Sequence, residues 1–158
     1  MASKVGSSVL LAVVLVALLA GGATGQTGPA VPDLNKITIL IRTTVIAIDH
    51  ANRTGNYTVL RDLGSPAFRE ANTAARLAEI FGNLRKKNLD FGPIVLFPPR
   101  LTRQPAIDQR GMLRLTGFFP TRPLNVNFDL AYELIEGRWR LFGVSISATP
   151  AKQSGKGG

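Results

Sequence analysis

The sequence predicts an α+β domain in which three N-terminal helices pack on one face of a strongly curved, mostly antiparallel, cone-like sheet. Two observations carry this. In the first half of the chain the apolar residues follow a helical repeat, and from Phe91 onward they alternate. Residues 125–147 then read as two long strands joined by a two-residue turn at Glu136-Gly137. A chain of 158 residues with 45% hydrophobic and 18% charged residues has room for one such domain, placed at residues 33–149.

Residues 1–25 read as a signal peptide. Lys4 precedes an apolar run over 9–20 that is too short for an ordinary spanning helix, and 21–25 supply the small residues that cleavage needs. Export to a periplasmic or secreted location follows from that reading. The chain has no Cys and one His, so disulfides, thiolate ligands and the usual transition-metal sets are not expected, nor is a cofactor. A formal net charge of +9 favours anionic neighbours such as an envelope surface. Nucleic acid is not expected as a partner. Only Arg85-Lys86-Lys87 forms a basic run, no aromatic residues are interleaved with it, and it sits where a helix should end and positive charge complements the backbone dipole.

After a Gly/Pro-containing lead-in over 26–31, Asp33 can cap a first helix. Ile37, Leu40, Ile41, Thr44, Val45 and Ile48 keep the helical repeat, although the β-branched density of 37–48 would also suit a buried strand. Ile39 and Ile46 fall on the opposite side and ask for a partial cover. Gly55 marks the break. Residues 58–63 fit a short second helix, stopped by Gly64-Ser65-Pro66. Asn72 or Thr73 caps a third helix with Ala74, Leu77, Ala78, Phe81 and Leu84 on one face, ending near Asn88. Residues 94–97 read as a short strand, broken by Pro98-Pro99 and so placed at an edge or a bend. Residues 101–110 form a basic connection, 112–119 alternate as a strand, and 120–123 turn the chain into the hairpin. Residues 150–158 form a Gly-rich polar tail, expected to be disordered.

This order, with the short helix in Gly55-Asn56-Tyr57-Thr58-Val59-Leu60-Arg61-Asp62-Leu63 and the closing Glu136-Gly137-Arg138-Trp139-Arg140-Leu141, resembles the nuclear-transport-factor-2-like superfamily, over roughly residues 33–148. That superfamily includes ketosteroid isomerase and polyketide cyclases. The resemblance implies a curved sheet wrapped around the helices as a cone with an inner cavity.

Regular alternation away from the Glu136-Gly137 turn pairs Leu134 with Trp139, Tyr132 with Leu141, Leu130 with Gly143 and Phe128 with Ser145. Large Val126, Phe128 and Leu130 then oppose small Ser147, Ser145 and Gly143, which leaves volume for a ligand or for a neighbouring helix. Phe128, Leu130, Tyr132, Trp139, Gly143 and Ser145 are the candidate lining of a pocket for a small apolar ligand. The function expected is binding, of such a ligand or of a protein partner, without catalysis. The alternative is an enzyme resembling ketosteroid isomerase or a polyketide cyclase, with Tyr132, Asp62, Glu70 or His50 contributing. No catalytic residue is assigned, because no pair of these is brought together by sequence alone. The family's base lies on a strand between its second and third helices, and here 67–71 offers only Glu70. On the outer face, Phe142, Val144 and Ile146 ask for a cover, and a homodimer through that face is expected. Asn52-Arg53-Thr54 and Asn56-Tyr57-Thr58 match the N-glycosylation pattern.

Overall fold

The computed structural model describes residues 28–151. The expected signal peptide over 1–25 and the expected tail beyond Ala151 lie outside the described residues; of the tail placed at 150–158, Pro150 instead closes the last strand and the Ala151 N–H donates to the Pro123 carbonyl at 2.9 Å.

Helix α1 spans Leu34–Thr54. Asp33 caps it, its carboxylate accepting from the Lys36 N–H at 2.8 Å and so satisfying a donor that the first turn leaves open. Gly55 ends it with φ 74, a left-handed conformation that a residue without Cβ takes unstrained. Ile37, Ile41, Thr44, Val45 and Ile48 are buried along one stripe. Burial of that stripe against the sheet outweighs the β-branched composition that had left a strand open.

Helix α2 covers Thr58–Asp62. The short connection expected after it is instead a helix, α3, over Pro66–Ala71. Ser65 accepts from the Phe68 N–H at 3.3 Å, and Pro66 occupies the first turn, where a missing N–H leaves nothing unpaired. The single helix expected from Thr73 to Asn88 is two, α4 (Ala74–Ile80) and α5 (Gly82–Lys86), broken at Phe81. The described residues therefore hold five α-helices where three were expected. Residues 94–97, expected to be a strand, lie mostly in a 3₁₀ turn, Gly92–Leu96. Pro93 opens that turn and Pro98-Pro99, which lack N–H groups, follow it, while the Ile94 and Phe97 N–H groups bond within the segment, to the carbonyls of Phe91 and Ile94.

The sheet contains β1 (Arg100–Leu101), β2 (Ala106–Ile107), β3 (Leu113–Phe119), β4 (Leu124–Ile135) and β5 (Arg138–Pro150). All pairings are antiparallel, in the order β1-β3-β4-β5 with β2 also on β3. The helices come first in the chain and share one core with the sheet: Ile41, Val45 and Ile48 pack in a single cluster with Leu60, Leu77, Leu115 and Leu130. The sheet is not strongly curled, which corrects the expectation of a tightly wrapped cone.

The hairpin register corrects the second half of the expected pairing. Glu136 and Gly137 form the turn, both with positive φ, and Leu134 pairs with Trp139 and Tyr132 with Leu141 as expected. Phe142 then stands in β5 as an extra residue, a β-bulge. Beyond it Ala131 pairs with Gly143, Leu130 with Val144, Phe128 with Ile146 and Val126 with Ala148. A shift of one residue exchanges the two faces of a strand. Gly143 and Ser145 therefore leave the inner face, and Val144 and Ile146 pack against the core. The outer patch expected to seat a second copy thus loses Val144 and Ile146. That face carries Asn127, Asp129, Ser145 and Ser147 instead.

Candidate functional site

The inner face of the hairpin is filled at one end and hollow at the other. Near the turn, Tyr132 is 2% exposed and its hydroxyl donates to the Leu40 carbonyl at 2.8 Å, with the Thr44 hydroxyl also at 2.8 Å. This bond ties β4 to α1. Burial pushes the Tyr132 hydroxyl far above the ordinary tyrosine range, and the bond to Thr44 offsets only part of that rise. It is a structural donor, locked neutral in the core.

At the far end, the last rungs of the same ladder open into a cavity of about 290 Å³, at the small end of the range for ligand sites. It is lined by the paired Val126 and Ala148, by Pro123 and Leu124 at the start of β4, and by Leu89, Phe91 and Pro93, the wall that loop 88–93 contributes. The wall is held by α1. The buried Asp49 accepts from the Phe91 N–H at 2.9 Å and from Arg53 Nε at 2.9 Å, while Arg53 reaches on to Asp90. Asp90 also accepts from the Gly92 N–H at 2.8 Å. On the opposite side Thr121 donates to the Leu124 carbonyl. Of the four polar residues around the cavity, Asp90 and Thr121 are thereby committed to the protein, which leaves Asn88 and Arg122 to address a ligand.

None of the six residues expected to line a pocket borders this cavity, although Phe128 and Ser145 border a separate hollow of about 270 Å³ with Thr116, Asn127 and Ser147. Phe128, Leu130 and Tyr132 are core residues, Trp139 is half-buried against the same core, and Gly143 and Ser145 lie on the other face of the sheet. The cavity begins one rung beyond Phe128. Asp49 was missed because its partner arrives 42 residues later in the chain. The loop 88–93 was missed because a run free of periodicity gives no hint of what it faces.

The polar groups considered for catalysis do not converge. His50, Asp62 and Glu70 are exposed, Asp62 pairs with Arg61 at 3.3 Å, and Tyr132 is sealed in the core. Asp129, on the outer face, pairs with Arg114 at 3.1 Å. Among the described residues no group of three His, Cys, Asp or Glu side chains stands close enough to hold a metal ion. Of the two glycosylation patterns, Asn52 is buried with its amide oxygen accepting from the Tyr57 hydroxyl at 2.6 Å, whereas Asn56 is exposed. No described helix is long and apolar enough to cross a membrane.

Comparison with known proteins finds no match: no family model, no curated protein and no solved structure is significantly similar to this chain.

Proposed function

We propose that this is an exported, non-catalytic domain that binds a small apolar ligand in the cavity between loop 88–93 and the open end of the β4–β5 hairpin. The observation that supports it most is the lining. Leu89, Phe91, Pro93, Leu124, Val126 and Ala148 make the surface apolar, and two of the polar groups at its border already have partners. A site of that kind recognises shape and apolar area, and it offers no paired acid and base. Kinship with the nuclear-transport-factor-2-like superfamily remains part of the proposal. Its support is the element order, a long first helix, short helices and then a meander of antiparallel strands.

The test is a titration with an apolar naphthylamine dye whose fluorescence rises on leaving water. Saturable binding at one site is expected, and Ala148→Phe, which puts a ring on a lining position, should weaken it at least about tenfold while the circular dichroism stays native. Absence of saturable binding, or equal binding by a folded Ala148→Phe variant, would overturn the reading.

A further inference from the structure

We infer that the ridge formed by Val95, Leu96 and Phe97 with the neighbouring Ile39 of α1 is a docking surface for an anionic lipid bilayer. Leu96 is 78% exposed, Ile39 55% and Val95 51%, and Phe97 is also open to solvent. They belong to one place. Arg42 lies one helical turn after Ile39, and its guanidinium donates to the Phe97 carbonyl at 2.9 Å and to the Val95 carbonyl at 3.4 Å. Together with the Asp49 to Phe91 bond further along α1, this lays the segment antiparallel against the helix. Adjacent exposed apolar residues of this size mark an interaction surface rather than ordinary solvent-facing scatter.

Charge selects the occupant. Lys36 is exposed one helical turn before Ile39, and the exposed Arg100 follows Phe97 by three residues, whereas the carboxylates that flank these segments are engaged: Asp33 caps α1, and Asp49 and Asp90 pair with Arg53. Arg42 lies directly beneath the ridge and makes no ion pair with a carboxylate among the described residues. Its Nε is buried without a hydrogen-bond partner, so among the described residues this charge lies under the ridge with no carboxylate to balance it. An apolar ridge over uncompensated positive charge, in a chain of net charge +9, fits a surface that takes apolar side chains and is itself negative. Such a surface is a bilayer with anionic headgroups. The inference does not depend on the cavity.

The chain has no cysteine, so one introduced thiol reports on one place. Leu96→Cys, and Val59→Cys as an exposed control on α2, would each carry an environment-sensitive fluorophore in the full chain. They would be mixed with vesicles of phosphatidylglycerol and phosphatidylcholine in equal parts, or of phosphatidylcholine alone. The expected result is a blue shift with a gain in intensity at position 96 on the anionic vesicles only, reduced by high salt, with no shift at position 59. Reading the signal at two positions separates docking of this ridge from any hold that the apolar run over 9–20 has on the vesicle. No shift at 96, an equal shift at both positions, or an equal shift on neutral vesicles would overturn the proposal. So would a shift at 96 that grows with protein concentration and needs no lipid, which would make a second copy the occupant.

Discussion

The two halves of the β4–β5 hairpin use the same two strands and reach opposite results. On the turn side of Phe142 the pairing follows regular alternation, and the inner face is closed by α1 through the Tyr132 hydroxyl and its bonds to Leu40 and Thr44. Beyond Phe142 the strand has changed phase; Leu130 and Phe128 still pack in the core shared with α1, and only at the last rungs, from Val126 and Ala148 outward, does the loop bonded to Asp49 border an open volume. A helix that brings its own apolar stripe fills the face it meets. A loop pinned by backbone bonds covers without filling, and the volume left between is the candidate site.

The largest effect should come from opposing the phase that the bulge sets. Exchanging neighbours in β5, Val144→Ser with Ser145→Val and Ile146→Ser with Ser147→Ile, places two hydroxyls on the core side of the shifted strand and two aliphatic side chains on the outer face. Burying two hydroxyls in place of two aliphatic side chains loses apolar burial and leaves polar groups without partners. The exchanged variant should lose its cooperative thermal transition. A variant that unfolds cooperatively near the wild-type midpoint would show that the bulge is not what sets the phase.

Next in size is the lock on the turn side. Tyr132→Phe keeps the ring and removes the hydroxyl, leaving the buried Thr44 hydroxyl without that partner. The expected loss is about 1–3 kcal/mol in denaturant unfolding, with unchanged dye binding at the far end. Asp49→Asn is the matching change on the other side. It weakens the acceptor for Phe91 N–H and ends the ion pair with Arg53, so a loss of similar order is expected, this time with weakened dye binding because the cavity wall moves. If both variants affected dye binding alike, the two halves would not be separable.

The same comparison explains what the sequence disclosed. Helix α1 was legible from its stripe, its Asp33 cap and its closing Gly55, and the hairpin from Glu136-Gly137, because these are local signals. The phase change also left a trace. The apolar residues of β5 fall at Trp139 and Leu141, then at Val144 and Ile146, with Leu141 and Phe142 adjacent where the parity switches. Strict alternation reads across that adjacency, whereas a bulge explains it. Ser65-Pro66 was read as the stop of one helix and is the start of the next. The apolar run 94–97 is too short for periodicity to separate strand from turn, and its flanking prolines were the better guide. The cavity itself was not legible. It depends on how far one loop stands from two rungs of a ladder, which is set by the contact of Asp49 with a residue distant in sequence.

The smallest effect concerns the turn that lies over the bulge. Asp108 accepts from the N–H groups of Met112 at 3.0 Å and Arg110 at 2.9 Å, and this turn sets the Arg110 guanidinium 5.3 Å from the centre of the Phe142 ring. The Met112 bond first, then the Arg110 bond and the charges of Arg110 and Arg114, hold the Asp108 carboxyl below its ordinary range. A carboxylate whose folded value is depressed contributes stability above its unfolded value and loses that contribution as pH falls through the folded one. Wild type and Asp108→Asn should therefore differ most in thermal midpoint at neutral pH and converge as acid is added. The Phe142 ring resonances should shift over the same acid range as Arg110 is released. Arg110→Ala, which removes only an exposed contact between cation and ring, should cost no more than about 1 kcal/mol. A gap between wild type and Asp108→Asn that stayed constant down to strong acid would mean that the turn contributes through its shape alone, and that the bulge is held by the core beneath it rather than by the arginine above.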